Sequence, residues 1–243
     1  MKMSHLSVLT ASALMIASQC ANADSLFRPR ASLGFAAYDL SADAGTTSLY
    51  SSSYMTLGFG ATVAVDEVYF DIGVNNSLSA EYDNDFTSAT EDFSRQDTTL
   101  TIGLSLDGGV SIFGGYKTGS TEYTNITPTA ATTTFDTDGL FFGAGISMPV
   151  DQNSLSFSGA VAFMNGKLED NDTAFTPYNE EADTVGLSLA MGYNINLSEN
   201  SGMAIKGAYQ FYGFTNWSGP NAAVLSDYTE SVFAMDITFF ANF

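Results

Sequence analysis

Beyond Ala23 the sequence contains no cysteine and no histidine; the single copies, Cys20 and His5, both precede it. Disulfide staples, thiolate nucleophiles and imidazole acid–base chemistry are therefore absent from the remainder. Basic residues are scarce. Arg28, Arg30, Arg95, Lys117, Lys167 and Lys206 stand against 27 acidic residues, a balance of six against 27, or −21, once Lys2 is set aside. A surface of that sign repels the phosphate backbone, which excludes nucleic-acid binding. After the first twenty or so residues there is no apolar run of the roughly 18 residues that a spanning helix requires.

The one long apolar run lies at the start. Lys2 precedes the apolar stretch Leu6–Ala17, and "ANA" (Ala21, Asn22, Ala23) has the small-x-small form of a cleavage site. This is the pattern of a secretory signal peptide. Residues 1–23 are expected to be a cleaved leader and residues 24–243 a single domain. A lipoprotein leader ending at Cys20 is the competing reading, but Gln19 fits poorly the small residue required before it.

What remains is an alternation of apolar with small or polar residues, at the two-residue period of a strand. In "YMTLGFGATVAV", Met55, Leu57, Phe59, Ala61, Val63 and Val65 share one face, and Tyr54, Thr56, Gly58, Gly60, Thr62 and Ala64 share the other. "TTLTIGLSL", "GLFFGAGISM" and "TVGLSLAMGY" repeat the pattern. Ten strands are predicted, over 29–39, 52–65, 68–79, 96–106, 110–122, 138–149, 154–166, 183–194, 202–214 and 229–243. Short turns (66–67, 107–109, 151–153, 196–201) alternate with long acidic loops (40–51, 80–95, 123–137, 167–182, 215–228). This is an all-β, closed antiparallel up-and-down barrel of about ten strands, with eight or twelve as alternatives.

The faces show which way the barrel is turned. A soluble barrel would show water the face made of Gly, Ser, Ala and Thr, yet strand faces in water normally carry charge. With the apolar face toward lipid and the small residues in a narrow lumen, the composition fits a transmembrane barrel. Almost every acidic residue falls in a turn or loop, which leaves the apolar band clear. Aromatics near predicted strand ends, among them Phe35, Tyr38, Tyr50, Tyr69, Tyr116, Tyr123, Tyr209, Phe211, Tyr228 and Phe233, are candidates for interfacial girdles.

The last residues, "MDITFFANF", place Met235, Ile237, Phe239, Ala241 and Phe243 in one outward row. This resembles the final strand of bacterial outer-membrane β-barrel proteins, which ends on an aromatic with apolar residues at alternate positions. The resemblance implies export through the periplasm, a place in the cell outer membrane, contact with its lipid and lipopolysaccharide, and recognition of this row by the barrel-assembly machinery. It also implies a monomer and is silent on activity.

Ten-strand barrels similar to omptin proteases exist, but those enzymes pair aspartates with a histidine, and outer-membrane lipid-modifying barrels also use histidine. With no group titrating near neutral pH beyond Ala23, no catalytic residues, cofactor or metal are assigned, and the chain is read as a non-enzyme. The acidic stretches "EYDNDF" (81–86) and "EDND" (169–172) lack the spacing and glycine of an EF-hand and read as solvated charge.

Parity turns Arg30, Asp71, Lys117, Lys206 and Asp236 into the lumen, where charges are expected to pair, with Lys206 near Asp236. Tyr54, Phe113, Phe141, Tyr212 and Phe240 point inward too, beside glycines that leave space. Two functions follow: a structural or surface-interaction protein acting through its acidic outer loops, or a narrow porin-like channel for small solutes. A soluble exported ligand-binding barrel is the third.

Overall fold

The structure, a computed structural model, describes residues 25–42, 47–78, 80–84, 89–125, 132–170, 178–220 and 227–243. The expected leader lies outside the described residues, as do parts of both acidic stretches, residues 85–86 and 171–172.

Eleven strands form one antiparallel sheet: β1 (Ser25–Ala42), β2 (Thr47–Val65), β3 (Val68–Ser77), β4 (Ala80–Asn84), β5 (Ala89–Ser105), β6 (Val110–Asn125), β7 (Thr132–Val150), β8 (Asn153–Asp170), β9 (Tyr178–Ser198), β10 (Ser201–Ser218) and β11 (Tyr228–Ala241). β3 and β4 both pair with β5 and act as two halves of one stave, so the ring has ten. β1 pairs with β11 along thirteen positions, and the β3–β5 ladder completes the circle. Every ladder is therefore closed, the condition for strands to lie in hydrocarbon with no unpaired edge. Among the described residues no helix is long and apolar enough to cross a membrane.

At one end of the barrel the turns are tight. Asp66 and Asp151 each take a left-handed conformation with φ of 54°. A short polar side chain tolerates that conformation better than a branched one. Between β5 and β6 a single 3₁₀ turn, Asp107–Gly109, uses two glycines at φ of 77°. The β9–β10 turn is Glu199–Asn200, tighter than the predicted 196–201.

Most strands are longer than predicted: β1 and β9 gain residues 25–28 and 195–198 at the tight-turn end, and the other large extensions lie at the opposite end. β9 has 21 residues and β2 and β7 have 19 each. A tilted strand needs only about 9–11 to span a bilayer. Much of what reads as long loop is thus strand, and the reason lies in its side chains. On β9, Val185, Leu187, Leu189 and Met191 are exposed on the outer face. Towards the long end the same outer face carries Asp183, Glu181 and Asn179, while Thr184, Ala182 and Glu180 are buried inside. β7 does likewise: Leu140 and Phe142 face out below, whereas above them Asp136 and Asp138 face out and Phe135 and Thr137 are buried.

The polarity of the two faces therefore reverses part-way along the strands. Below the reversal the barrel is apolar outside and hydroxyl-rich inside, and above it the barrel is polar outside with a packed apolar interior. The upper part of β9, residues 178–184, continues for roughly 20 Å along the strand at about 3.3 Å per residue. The buried cluster lies there, built on Tyr38, Leu40, Tyr54, Phe93, Tyr123, Phe135 and Phe214.

The expected girdle divides accordingly. Phe35, Tyr116, Tyr209, Phe211 and Phe233 are exposed on the outside, and the Tyr116 hydroxyl donates to Asp138 at 2.5 Å. Tyr38, Tyr50, Tyr69, Tyr123 and Tyr228 instead face the interior and belong to no girdle.

The reversal sets opposite tolerances on one strand. Leu189→Lys, in the apolar band, should lose about 2–4 kcal/mol of folding free energy in lipid vesicles. Asp183→Lys, above the band, should change it by no more than about 0.5 kcal/mol. Urea titration of vesicle-inserted protein measures both.

Candidate functional site: the lumen and its plug

Strand parity brings the interior groups together in layers. At the short-turn end, Arg30 on β1 holds Asp71 on β3 in a two-point contact, with NH1 to Oδ2 at 2.5 Å and NH2 to Oδ1 at 2.9 Å. The Thr62 hydroxyl donates to the same carboxylate at 2.6 Å. Arg28 donates to Asn242 Oδ1 at 2.7 Å and lies over the Phe240 ring. Lys206 on β10 is the register partner of Asp236 on β11, yet it makes no hydrogen bond or ion pair among the described residues. The Asp236 carboxylate accepts from the Thr238 hydroxyl at 2.6 Å.

Above these charges lies a cavity of about 610 Å³, bounded by Phe113 and Phe141, whose rings meet edge-on at 6.3 Å. These rings need the glycines on the neighbouring strands. A Cβ on Gly143 would come within 2.5 Å of the Phe113 ring, and one on Gly186 within 2.3 Å of the Tyr212 ring. The glycines are seats for aromatic rings, not spare room.

The next layer spans the lumen. Arg95 on β5 donates to Asp97 at 2.9 and 3.2 Å, to Glu230 on β11 at 3.0 Å and to the Thr121 hydroxyl at 2.8 Å. β5 and β11 stand four places apart around the ring of ten, so the Arg95–Glu230 bond crosses the interior. Lys117 on β6 pairs with Asp97 at 3.2 Å and donates to Gln210 and Tyr212 on β10 at 2.5 and 3.0 Å. That contact also joins staves four places apart. The two cations and two carboxylates are balanced, as burial requires. Arg95 and Glu230 are 4% and 1% exposed.

Aromatic rings pack inside the lumen over this network. Phe93 packs on Tyr38, Tyr54 and Tyr123, at 4.8–5.5 Å between centroids. Phe135 meets Phe214 at 4.6 Å, and Trp217 meets Tyr228 at 5.2 Å. A cavity of about 160 Å³ remains between the Phe113–Phe141 pair and Lys117.

All five sequence-selected charges thus line the lumen, but only Lys117 belongs to the cross-lumen network. Arg95, Asp97 and Glu230 join it there without a motif to mark them: Arg95 lies in a stretch with the composition of a loop, and Glu230 in a strand whose upper end reverses polarity. Their signal was parity: Arg95 and Asp97 are two residues apart on one face, in register with Thr121 and Gly119 of β6. Among the described residues no group of three or more His, Cys, Asp or Glu side chains could hold a metal ion.

At the seam, Met235, Ile237 and Phe239 face outward and are exposed, Ala241 is half-buried and Phe243 is 76% exposed. Backbone bonds of 3.0 and 2.9 Å between Phe27 and Phe243 extend the β1–β11 ladder to that residue.

No family model and no curated protein matches the sequence. Solved structures do. The outer-membrane protease OmpT from Escherichia coli superposes with a TM-score of 0.62 at 10% identity, over 91% of this chain and 98% of that one. Neisserial surface protein A (TM-score 0.39, 8% identity, 87% and 95% covered) and the P. putida toluene transporter TodX (0.38, 9%, 93% and 92%) are more distant. At such identities it is the barrel fold that is shared, and the protease activity stays with OmpT.

Arg95→Met would strand the buried Glu230 carboxylate and leave Asp97 to Lys117 alone, and should destabilise the barrel by about 3–5 kcal/mol. Gly186→Ala, which drives a Cβ into Tyr212, should cost about 1–3 kcal/mol. Both are read as a lowered temperature for loss of the heat-modifiable gel band.

Proposed function

We propose that this outer-membrane β-barrel is closed to solutes and acts at the cell surface, in a structural or interaction role carried by the long-stranded end. The observation that supports this most directly is the pair of polar bridges across the lumen, Arg95–Glu230 and Lys117–Gln210/Tyr212, roofed by aromatic rings. A conducting pore needs a continuous polar path, and a bridge of buried, mutually satisfied charges leaves none for a hydrated ion. The outer face of the extension carries Asp136, Asp138, Glu181 and Asp183, so the rim that meets the medium is acidic. In barrels of this kind the long-strand end faces outward and the tight turns face the periplasm.

The non-enzymatic reading rests on chemistry: the described interior has carboxylates, but no histidine or cysteine accompanies them. The outward row Met235, Ile237, Phe239, Ala241 and Phe243 supports its reading as the segment presented to the barrel-assembly machinery. The exposed apolar band supports the reading that the protein contacts outer-membrane lipid and lipopolysaccharide. A narrow channel is the second reading, favoured by the two cavities below the plug.

Planar-bilayer recording separates the two. The protein should give no steady single-channel steps, and the double variant Arg95→Ala/Lys117→Ala should give them. Regular steps from the unaltered protein would overturn the closed reading in favour of the channel.

A further inference from the structure

The cavity below Phe113 and Phe141 has a chemistry of its own. It reaches the tight turns, where Ser105 and Gly109 border it, and at its other end it is lined by the two phenylalanines. Its volume of about 610 Å³ lies within the range of about 300–1,000 Å³ typical of small-molecule sites. Two charged side chains line it, Asp71 and Lys206. Asp71 is fully engaged by Arg30 and Thr62. Lys206 is exposed into the cavity, with no hydrogen bond or ion pair among the described residues. Around it stand hydroxyls. Those of Thr99, Thr101 and Ser158 make no hydrogen bond to the described residues, and Ser156 donates to the Gly192 carbonyl at 3.2 Å. Phe113, Phe141 and Tyr69 supply aromatic surface to the same walls.

We propose that this vestibule binds a small hydroxylated carboxylate, a sugar acid, from the periplasmic side. The carboxylate sits on the Lys206 ammonium, the ligand hydroxyls exchange hydrogen bonds with the uncommitted threonine and serine hydroxyls, and its C–H face rests on the rings. Arg28, Arg30, Asp71 and Asp236 are the charged neighbours of Lys206, so with its own ammonium three cations stand against two carboxylates and an anion is favoured locally. The carboxylates of Asp66, Glu67, Asp107, Asp151 and Glu199 in the tight turns are exposed to water. Their repulsion is screened over a Debye length of about 8–10 Å, whereas Lys206 acts from within the wall. The site lies on the other side of the plug from the surface assigned above, so either reading stands if the other fails.

The chain has three lysines beyond residue 23, Lys117, Lys167 and Lys206. Reductive ¹³C-methylation of the refolded barrel therefore yields few resonances, and Lys206→Arg identifies the one of interest. Gluconate should move the Lys206 signal saturably, while glucose (hydroxyls without charge) and acetate (charge without hydroxyls) at equal concentration should move it far less. Calorimetry should show gluconate binding weakened at least tenfold in Lys206→Gln and within threefold of the unaltered protein in Lys206→Arg. Should Lys206→Gln not fold, Ser158→Val, which intrudes on the cavity, should weaken binding likewise. Equal responses to gluconate and acetate, or an affinity for gluconate untouched by Lys206→Gln or, where that variant does not fold, by Ser158→Val, would overturn the proposal.

Discussion

A strand has two faces, and in this protein each face meets two different surroundings. Along β9 the outer face passes from Glu181 and Asp183 to Val185 and Leu187 without a break in the ladder, and the inner face passes from Ala182 and Thr184 to Gly186 and Ser188. Backbone closure makes this possible. With every ladder paired round the ring, the backbone imposes no preference for water or lipid, and the side chains alone decide which medium each level can occupy. The barrel thus joins a lipid-facing cylinder to a water-facing one on a single set of hydrogen bonds.

The reversal also places the plug. In the lipid-facing part the outside takes the apolar residues, so the interior is left with small and polar groups, too slight to fill it. That is where the larger cavity lies. In the water-facing part the interior becomes an ordinary hydrophobic core, and Phe93, Tyr123, Phe135 and Phe214 fill it. The Arg95–Asp97–Lys117–Glu230 network sits beneath those rings, shielded from water on one side, with its four charges answering one another. Such a network adds little net stability over an apolar filling, but it is costly to break from one side. The filling of the upper interior and the burial of charge are in this sense one arrangement.

The glycines take part in the same economy of space. Those facing inward looked like gaps. In the fold several receive an aromatic ring: Tyr69 on Gly103, Phe113 on Gly143 and Tyr212 on Gly186 from an adjacent strand, and Phe214 on Gly166 from two strands away. A narrow barrel can hold large rings only where the opposing wall is bare backbone, which accounts for glycine in strands that would otherwise be weakened by it.

The sequence by itself determined the class of structure, the number of staves to within two and the orientation of the apolar band. Two-residue alternation is a local property, and the small partners of Leu187 or Phe142 already exclude water from being what those residues face. Parity likewise put Arg30, Asp71, Lys117, Lys206 and Asp236 indoors. Only the tertiary structure decided how far the strands continue and which charges meet. Residues such as Arg95, Glu180 and Glu230 carry the polarity of a loop, and parity along the chain assigns them a face but not the partners that bury them. Their environment comes from staves on the far side of the ring, such as β11 for Arg95 and β10 for Lys117. A contact across a lumen depends on register and closure summed over several ladders, and no local period records that sum.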